Sequence, residues 1–345
     1  MKIWYGISLA GKYYLIYIRF GIMHRINKKK YVKSLFLRVL RLPARWISIL
    51  IIPLFCSATS FVNDFLLVDN DVRAKALGGC ISSSRGVSAL FGNPSRIGYS
   101  NEIAFLSHEQ LYQGLVSSDA LGIRFPVPDG YAAIGLSYIG GSGIIITDIP
   151  DPDSPVSENN RPYKIDEEGH HDVALTTGYS RYFSDKISAG IALSGFYRDH
   201  ANSIAKGASV TLGGDYSYND NLSLTVNLNN LGFSSWETGT NEIAFLSLGI
   251  GGIYNYSLGS NFGGIICFDG RYFPNEKVTE GYAGGEIVYS DLFALRAGID
   301  NGQFTAGAGL SIIPNIDIDI ALSLHEALPI SYRVGLKYNP IKNID

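Results

Sequence analysis

The sequence predicts an all-β protein, a transmembrane antiparallel β-barrel of about 14 strands with an N-terminal plug segment. Three observations predict it. Much of the chain alternates apolar and polar residues with period two, in stretches of roughly ten residues, the length a tilted membrane strand needs. Charged residues are only 17 % against roughly 25 % in a soluble domain, while apolar content is an ordinary 46 %, with Gly 39, Tyr 22 and Phe 17. The alternating region also follows an N-terminal stretch with the character of an export signal.

Residues 1–60 read as that leader. Arg41 and Arg45 precede the apolar run Trp46 to Phe55, which is too short for a spanning helix, and the small residues Cys56 to Ser60 follow. Cleavage after Ala58 or Ser60 fits, and Met23 is an alternative start within a long leader. An uncleaved anchor is the competing reading.

Residues 61–100 do not alternate and form the expected plug. Asp71 to Leu77 suits a short helix capped by Asn70 or Asp71 and stopped by Gly78-Gly79, and Asn93-Pro94 marks a turn. The barrel is expected over 101–345. Its strands are placed near 101–113, 116–127, 130–141, 170–183, 186–199, 203–216, 221–231, 243–255, 260–272, 279–290, 291–300, 303–313, 315–325 and 330–339. In Asn221 to Asn229 every even position is apolar and every odd one polar, and Ile316, Ile318, Ile320, Leu322 and Leu324 repeat the pattern.

Phe183 to Lys186, Tyr218 to Asn221 and Ile313 to Asn315 read as short turns, whereas Gly143 to Gly169 reads as a long acidic loop on the external side. In the closing strand, Ile330, Tyr332, Val334, Leu336 and Tyr338 should face lipid and Ser331, Arg333, Gly335, Lys337 and Asn339 the lumen. That strand must pair with the first, around 101–113, so that no edge is left in the bilayer. Tyr138, Tyr182, Tyr197, Trp236, Tyr254 and Tyr338 are expected in interfacial girdles. Asn-Glu-Ile-Ala-Phe-Leu-Ser occurs at 101–107 and 241–247, by strand duplication or by convergence.

Several function classes drop out. A net charge of −3 gives no field for nucleic acid, and the only slightly positive mean hydropathy excludes a bundle of membrane helices. No serine sits in a nucleophile elbow and no glycine run opens a helix, so neither an enzyme nor a cofactor is expected. His170-His171 beside Glu167, Glu168 and Asp172 has metal-binding residue types, but neighbours on a strand face opposite ways, and no metal is expected. The spacing of Cys80 and Cys267 leaves open whether they pair. The plug charges Arg73, Arg85 and Arg96 need partners inside a lumen. Glu286, Arg296, Asp317, Asp319 and Arg333 are the inward candidates from the alternation.

The order of motifs resembles the PorV/PorQ-like family of FadL-type outer-membrane transport barrels. It runs from Phe65-Leu66-Leu67 through Arg73-Ala74 … Gly78-Gly79 and Gly92-Asn93-Pro94 to Gly284-Gly285-Glu286, Leu295 to Gly298, Ala306 to Leu310 and Ser331 to Leu336. Ser95-Arg96 stands where the family has Ala-Gly, and a tail follows the last strand. The resemblance implies a location in the outer membrane of a Gram-negative-type bacterium and contact with its lipid. It implies passage of hydrophobic, fatty-acid-like small molecules, touching Leu77, Leu90, Phe91 and Ile97 if the plug guards the route. The alternative it implies is a PorV-like barrel that shuttles or anchors secreted proteins with type IX secretion-system partners.

Overall fold

The computed structural model describes residues 61–340 apart from 63, 201 and 202. The expectations for the leader, residues 1–60, lie outside the described residues.

Period-two patterning becomes a closed antiparallel barrel. The strands are β1 (Ala104–Leu111), β2 (Val116–Val127), β3 (Gly130–Asp148), β4 (Tyr163–Ser184), β5 (Ile187–His200), β6 (Ser203–Ser217) and β7 (Leu222–Trp236). β8 follows in two pieces, Asn241–Ala244 and Ser247–Leu258. Then come β9 (Phe262–Phe273), β10 (Val278–Tyr289), β11 (Phe293–Asp300), β12 (Gln303–Ile313), β13 (Ile316–Ser323) and β14 (Ser331–Tyr338). Counting β8 once, fourteen strands close the wall among the described residues. A two-residue strand, Phe61–Val62, runs parallel to Ile243 and Ala244 at its edge.

Closure is made by β14 on β1, from Tyr332 opposite Gln110 to Tyr338 opposite Ala104. Every other neighbour along the ring is consecutive in the chain, so the closing pair leaves no free edge strand. The exposure of β14 alternates without a break, with Tyr332, Val334, Leu336 and Tyr338 outward and Ser331, Arg333, Gly335 and Lys337 buried. Leu106, Leu121, Ile134, Leu193, Ile250 (70 % exposed), Phe268, Ile287 and Ile320 continue the outward apolar surface around the ring. A soluble monomer rarely shows an apolar surface of this extent. No helix among the described residues is long and apolar enough to cross a membrane.

Two expectations change. Gly143 to Gly169 is not one loop: Ile144, Ile145 and Ile146 pair with Glu168, Glu167 and Asp166, lengthening β3 and β4. Gly143, at φ +87°, takes the extra residue where the register shifts, so the isoleucine run keeps a strand partner. Trp236 is not a lipid-facing anchor, because its indole N–H donates to Glu242 and its ring meets His200 edge-on.

Candidate functional site

Residues 64–103 pack against inward-facing side chains of the barrel. Asp71 accepts from the Arg73 backbone N–H and caps the five-residue helix α1 (Val72–Ala76), and Asn93 caps the turn at Pro94–Arg96 in the same way. Such short helices gain little from propensity. Their burial against the wall holds them: Val72, Ala74, Ala76, Leu77, Val87, Leu90 and Ile97 are almost wholly enclosed.

Glycine pairs in the wall make the close approach possible. Gly284 on β10 faces Gly298 on β11, and a Cβ on either would overlap the Leu77–Gly78 backbone. Gly190 on β5 faces Gly213 on β6, where Asn93 and Pro94 dock in the same manner. The segment thus touches the sheet backbone at two places.

Charge holds the same contacts. Arg73 is forked onto Glu286, with Nε to Oε2 at 2.9 Å and Nη2 to Oε1 at 2.7 Å. Glu286 also accepts from Arg296, which reaches Asp319 at 2.6 Å, and Lys337 lies between Asp319 (3.4 Å) and Asp71 (3.3 Å). Arg96 pairs with Asp215, and Lys75 with Asp300 at 2.8 Å. Burial opposes ionisation of Asp71, yet Lys337 and Arg73 hold its pKa down at about 2. At Glu102 burial outweighs the pull of Lys337, and the carboxyl is pushed up to about 7.

Of the charges read from the sequence, Arg73, Glu286, Arg296 and Asp319 form one network. Arg333 pairs instead with Glu109 across the closing strands. Asp317 bonds to Ser311 and Asn339. Arg85 is exposed at an open space on one side of the segment and makes no ion pair among the described residues. Asp215 and Glu109 were not singled out from sequence, and Lys337 was read as lumen-facing but not as a partner of the segment. Their signal was there, since a charge inside an alternating strand has to face the lumen.

Two spaces flank the segment. A vestibule of about 1000 Å³ opens at the short-turn rim, and Arg85, Glu102, Tyr256, Arg296, Asp319 and Lys337 line it. A cavity of about 210 Å³ lies on the other side, between Leu66, Leu67, Ile81 and Phe91 of the segment and Phe245 and Phe273 of the wall; Asp69, Asn229, Ser247, Arg271 and Glu280 also line it. Of the four apolar residues expected at a ligand, Phe91 lines this cavity. Leu77 packs in a cluster with Ile253 and Ile265, and Leu90 and Ile97 in one with Ala133 and Ala192.

Beside the cavity the wall is irregular. Asn230, at φ +64°, adds a residue to β7, so the pairing with β6 slips between Val210–Leu231 and Leu212–Leu228. The buried side of β7 passes from Thr225, Asn227 and Asn229 to Asn230 and Ser234. β8 changes face at the same level, where Phe245 and Leu246 leave the ladder. Its pairing with β7 resumes in the same register on both sides, Ser247 opposite Asn229 and Ile243 opposite Phe233. The Asn230 amide bridges the gap by donating to the Phe245 carbonyl at 3.2 Å. Phe245 belongs to the second copy of the repeated heptapeptide, and Phe105, its counterpart, stays in an unbroken strand against Phe91.

No family model and no curated protein matches the sequence. Solved barrels do match its fold. The chain is similar to the Pseudomonas putida toluene transporter TodX, at 14 % identity over 78 % of this chain and 97 % of that one, with a TM-score of 0.53. It is similar to the CymD monoaromatic hydrocarbon channel at 11 % identity, over 81 % and 99 %, with a TM-score of 0.54. A TodX deltaS2S3 mutant channel aligns at 14 % identity over 77 % and 98 %, with a TM-score of 0.52. At these identities the common property is the fold, a closed 14-strand barrel of the kind hydrocarbon channels use.

Proposed function

We propose that the chain is an outer-membrane channel that admits compact hydrophobic molecules, with residues 61–100 as its plug. The observation that carries the reading is the cavity between that segment and the β7–β8 interruption, where Leu66, Leu67, Ile81, Phe91, Phe245 and Phe273 gather. Its volume of about 210 Å³ exceeds the roughly 150 Å³ in which an engineered protein cavity holds benzene, and suits one ring better than a long acyl chain. The fold similarity to proteins described as toluene and monoaromatic hydrocarbon channels supports the same size class. A molecule would enter from the external rim, rest between Phe91, Phe245 and Phe273, and leave after the segment shifts. No covalent step is required, and residues such as Leu77, Leu90 and Ile97 would meet it only along the displaced path. Cells expressing the chain should take up radiolabelled toluene faster than control cells, and Phe91→Asp should return uptake to the control rate. Uptake equal to the control by a folded, heat-modifiable barrel would overturn the reading.

A second reading follows from the PorV-like resemblance: a barrel that binds secreted proteins at its external face. The feature favouring it is the hairpin of β3 and β4, whose strands of 19 and 22 residues carry exposed Asp166 and Glu167. Copurification of a secretion component that is lost on deleting residues 144–168 would support this reading over the first.

A further inference from the structure

Two thiols meet where the N-terminal segment touches the wall. Cys80 follows the Gly78-Gly79 end of α1, and Cys267 is an inward residue of β9. Both are fully enclosed, in one apolar cluster with Leu77, Ile253, Ile265 and Tyr282, and both are free in this structure. The Cys267 thiol donates to the Gly284 carbonyl at 3.5 Å, and Cys80 is buried in the same cluster beside it. Their meeting has a structural cause: Cys267 stands opposite Gly284, the residue whose missing side chain lets the Leu77 carbonyl reach the sheet. Among the described residues this is the one place where two thiols face each other between the segment and the wall.

We propose that Cys80 and Cys267 are a redox site, whose disulfide locks the N-terminal segment to β9 and whose dithiol form lets it move. The proposal rests on the plug and export readings above, because an exported chain meets the oxidants that make disulfides.

The chemistry decides when the bond forms. Docked Cys80 is unreactive, since the neighbouring Cys267 thiol and burial both push its thiol pKa above the ordinary value. Exchange therefore occurs with the segment displaced. The Cys80 thiolate attacks one sulfur of a protein disulfide oxidant, and the oxidant's other sulfur leaves as a thiolate and takes up a proton. Docking brings in Cys267, whose thiolate attacks the Cys80 sulfur of this mixed disulfide. The Sγ–Sγ bond forms and the oxidant departs as a dithiol, carrying the two electrons and two protons that the cysteines lost. Once docked, the bond is shielded from reductant by the same burial.

The test uses the full chain folded in membranes, with free thiols blocked by N-ethylmaleimide before digestion and mass spectrometry. The expected result is one peptide pair linked through Cys80 and Cys267. Recovery of both cysteines fully alkylated, even after folding with oxidised glutathione, would overturn the site. Hydrogen exchange over residues 72–84 should be at least tenfold slower in the oxidised chain than in chain reduced while unfolded and then refolded, and equal rates would overturn the lock. The Cys80→Ala/Cys267→Ala variant should exchange like the reduced chain; should it not fold, the two wild-type forms decide the question. Linkage without toluene uptake would sink the transport reading and leave the lock standing, whereas uptake without linkage would do the reverse.

Discussion

Arg73 and Glu286, 213 residues apart in the chain, meet as a forked ion pair with both side chains almost fully buried. The fork fixes the N-terminal segment in position and in rotation, because a planar guanidinium satisfies a carboxylate at two points. Arg73→Ala leaves a buried carboxylate with Arg296 alone and should weaken docking by about 3 kcal/mol. The expected readout is faster hydrogen exchange over residues 64–100, with barrel heat stability nearly unchanged. Arg73→Lys should fall between the two, since an ammonium keeps the charge but not the fork.

The wall glycines predict a size-exclusion effect. Gly298→Leu places a side chain where the Leu77–Gly78 backbone lies, so the segment cannot dock there. Planar-bilayer recordings should show larger single-channel conductance, and proteases should cut between residues 64 and 100. Unchanged conductance with a protected segment would count against the segment as the barrier.

Asn230 tests the wall interruption. A β-branched residue is strained at φ +64°, and Asn230→Val also removes the bond to the Phe245 carbonyl, for a combined cost of about 1–3 kcal/mol. The temperature at which the folded barrel loses its faster gel mobility should fall. If the gap is the way out of the cavity, toluene uptake should change more than that shift explains.

Glu102 gives the docking of the N-terminal segment a pH dependence. Its folded pKa of about 7 lies above the ordinary 4.5, so between these values the folded protein holds a proton that the unfolded chain has lost. Docking stability contributed by this group is therefore present below about pH 4.5 and is lost as pH rises to about 7. Hydrogen exchange around Val87, whose N–H bonds to Glu102, should accelerate across that window. Glu102→Gln should flatten the response.

Much of the barrel is legible in the chain because a strand's two faces see two solvents. In β14 the alternation states both the outward set and the need for a partner, and the observed pairing with β1 follows. The helix at Val72–Ala76, the turn after Asn93 and the short turns of one rim were equally local, written in caps and turn residues. The acidic hairpin was misread because its prolines and carboxylates have loop composition, while the isoleucines that pair across it lie 20 to 24 residues from their partners.

The sequence by itself determined the fold class, the strand order and the side of the wall that residues of the regular strands face, since these depend on period and on neighbours in the chain. Only the tertiary structure decided that Arg73 takes Glu286 while Arg333 takes Glu109, that paired glycines receive the segment, and that Phe91 faces a cavity while Leu90 faces the wall. Those choices depend on the rotation and height of a short irregular segment inside a closed ring. Such a segment has no period, and its position is set jointly by contacts from strands up to hundreds of residues away.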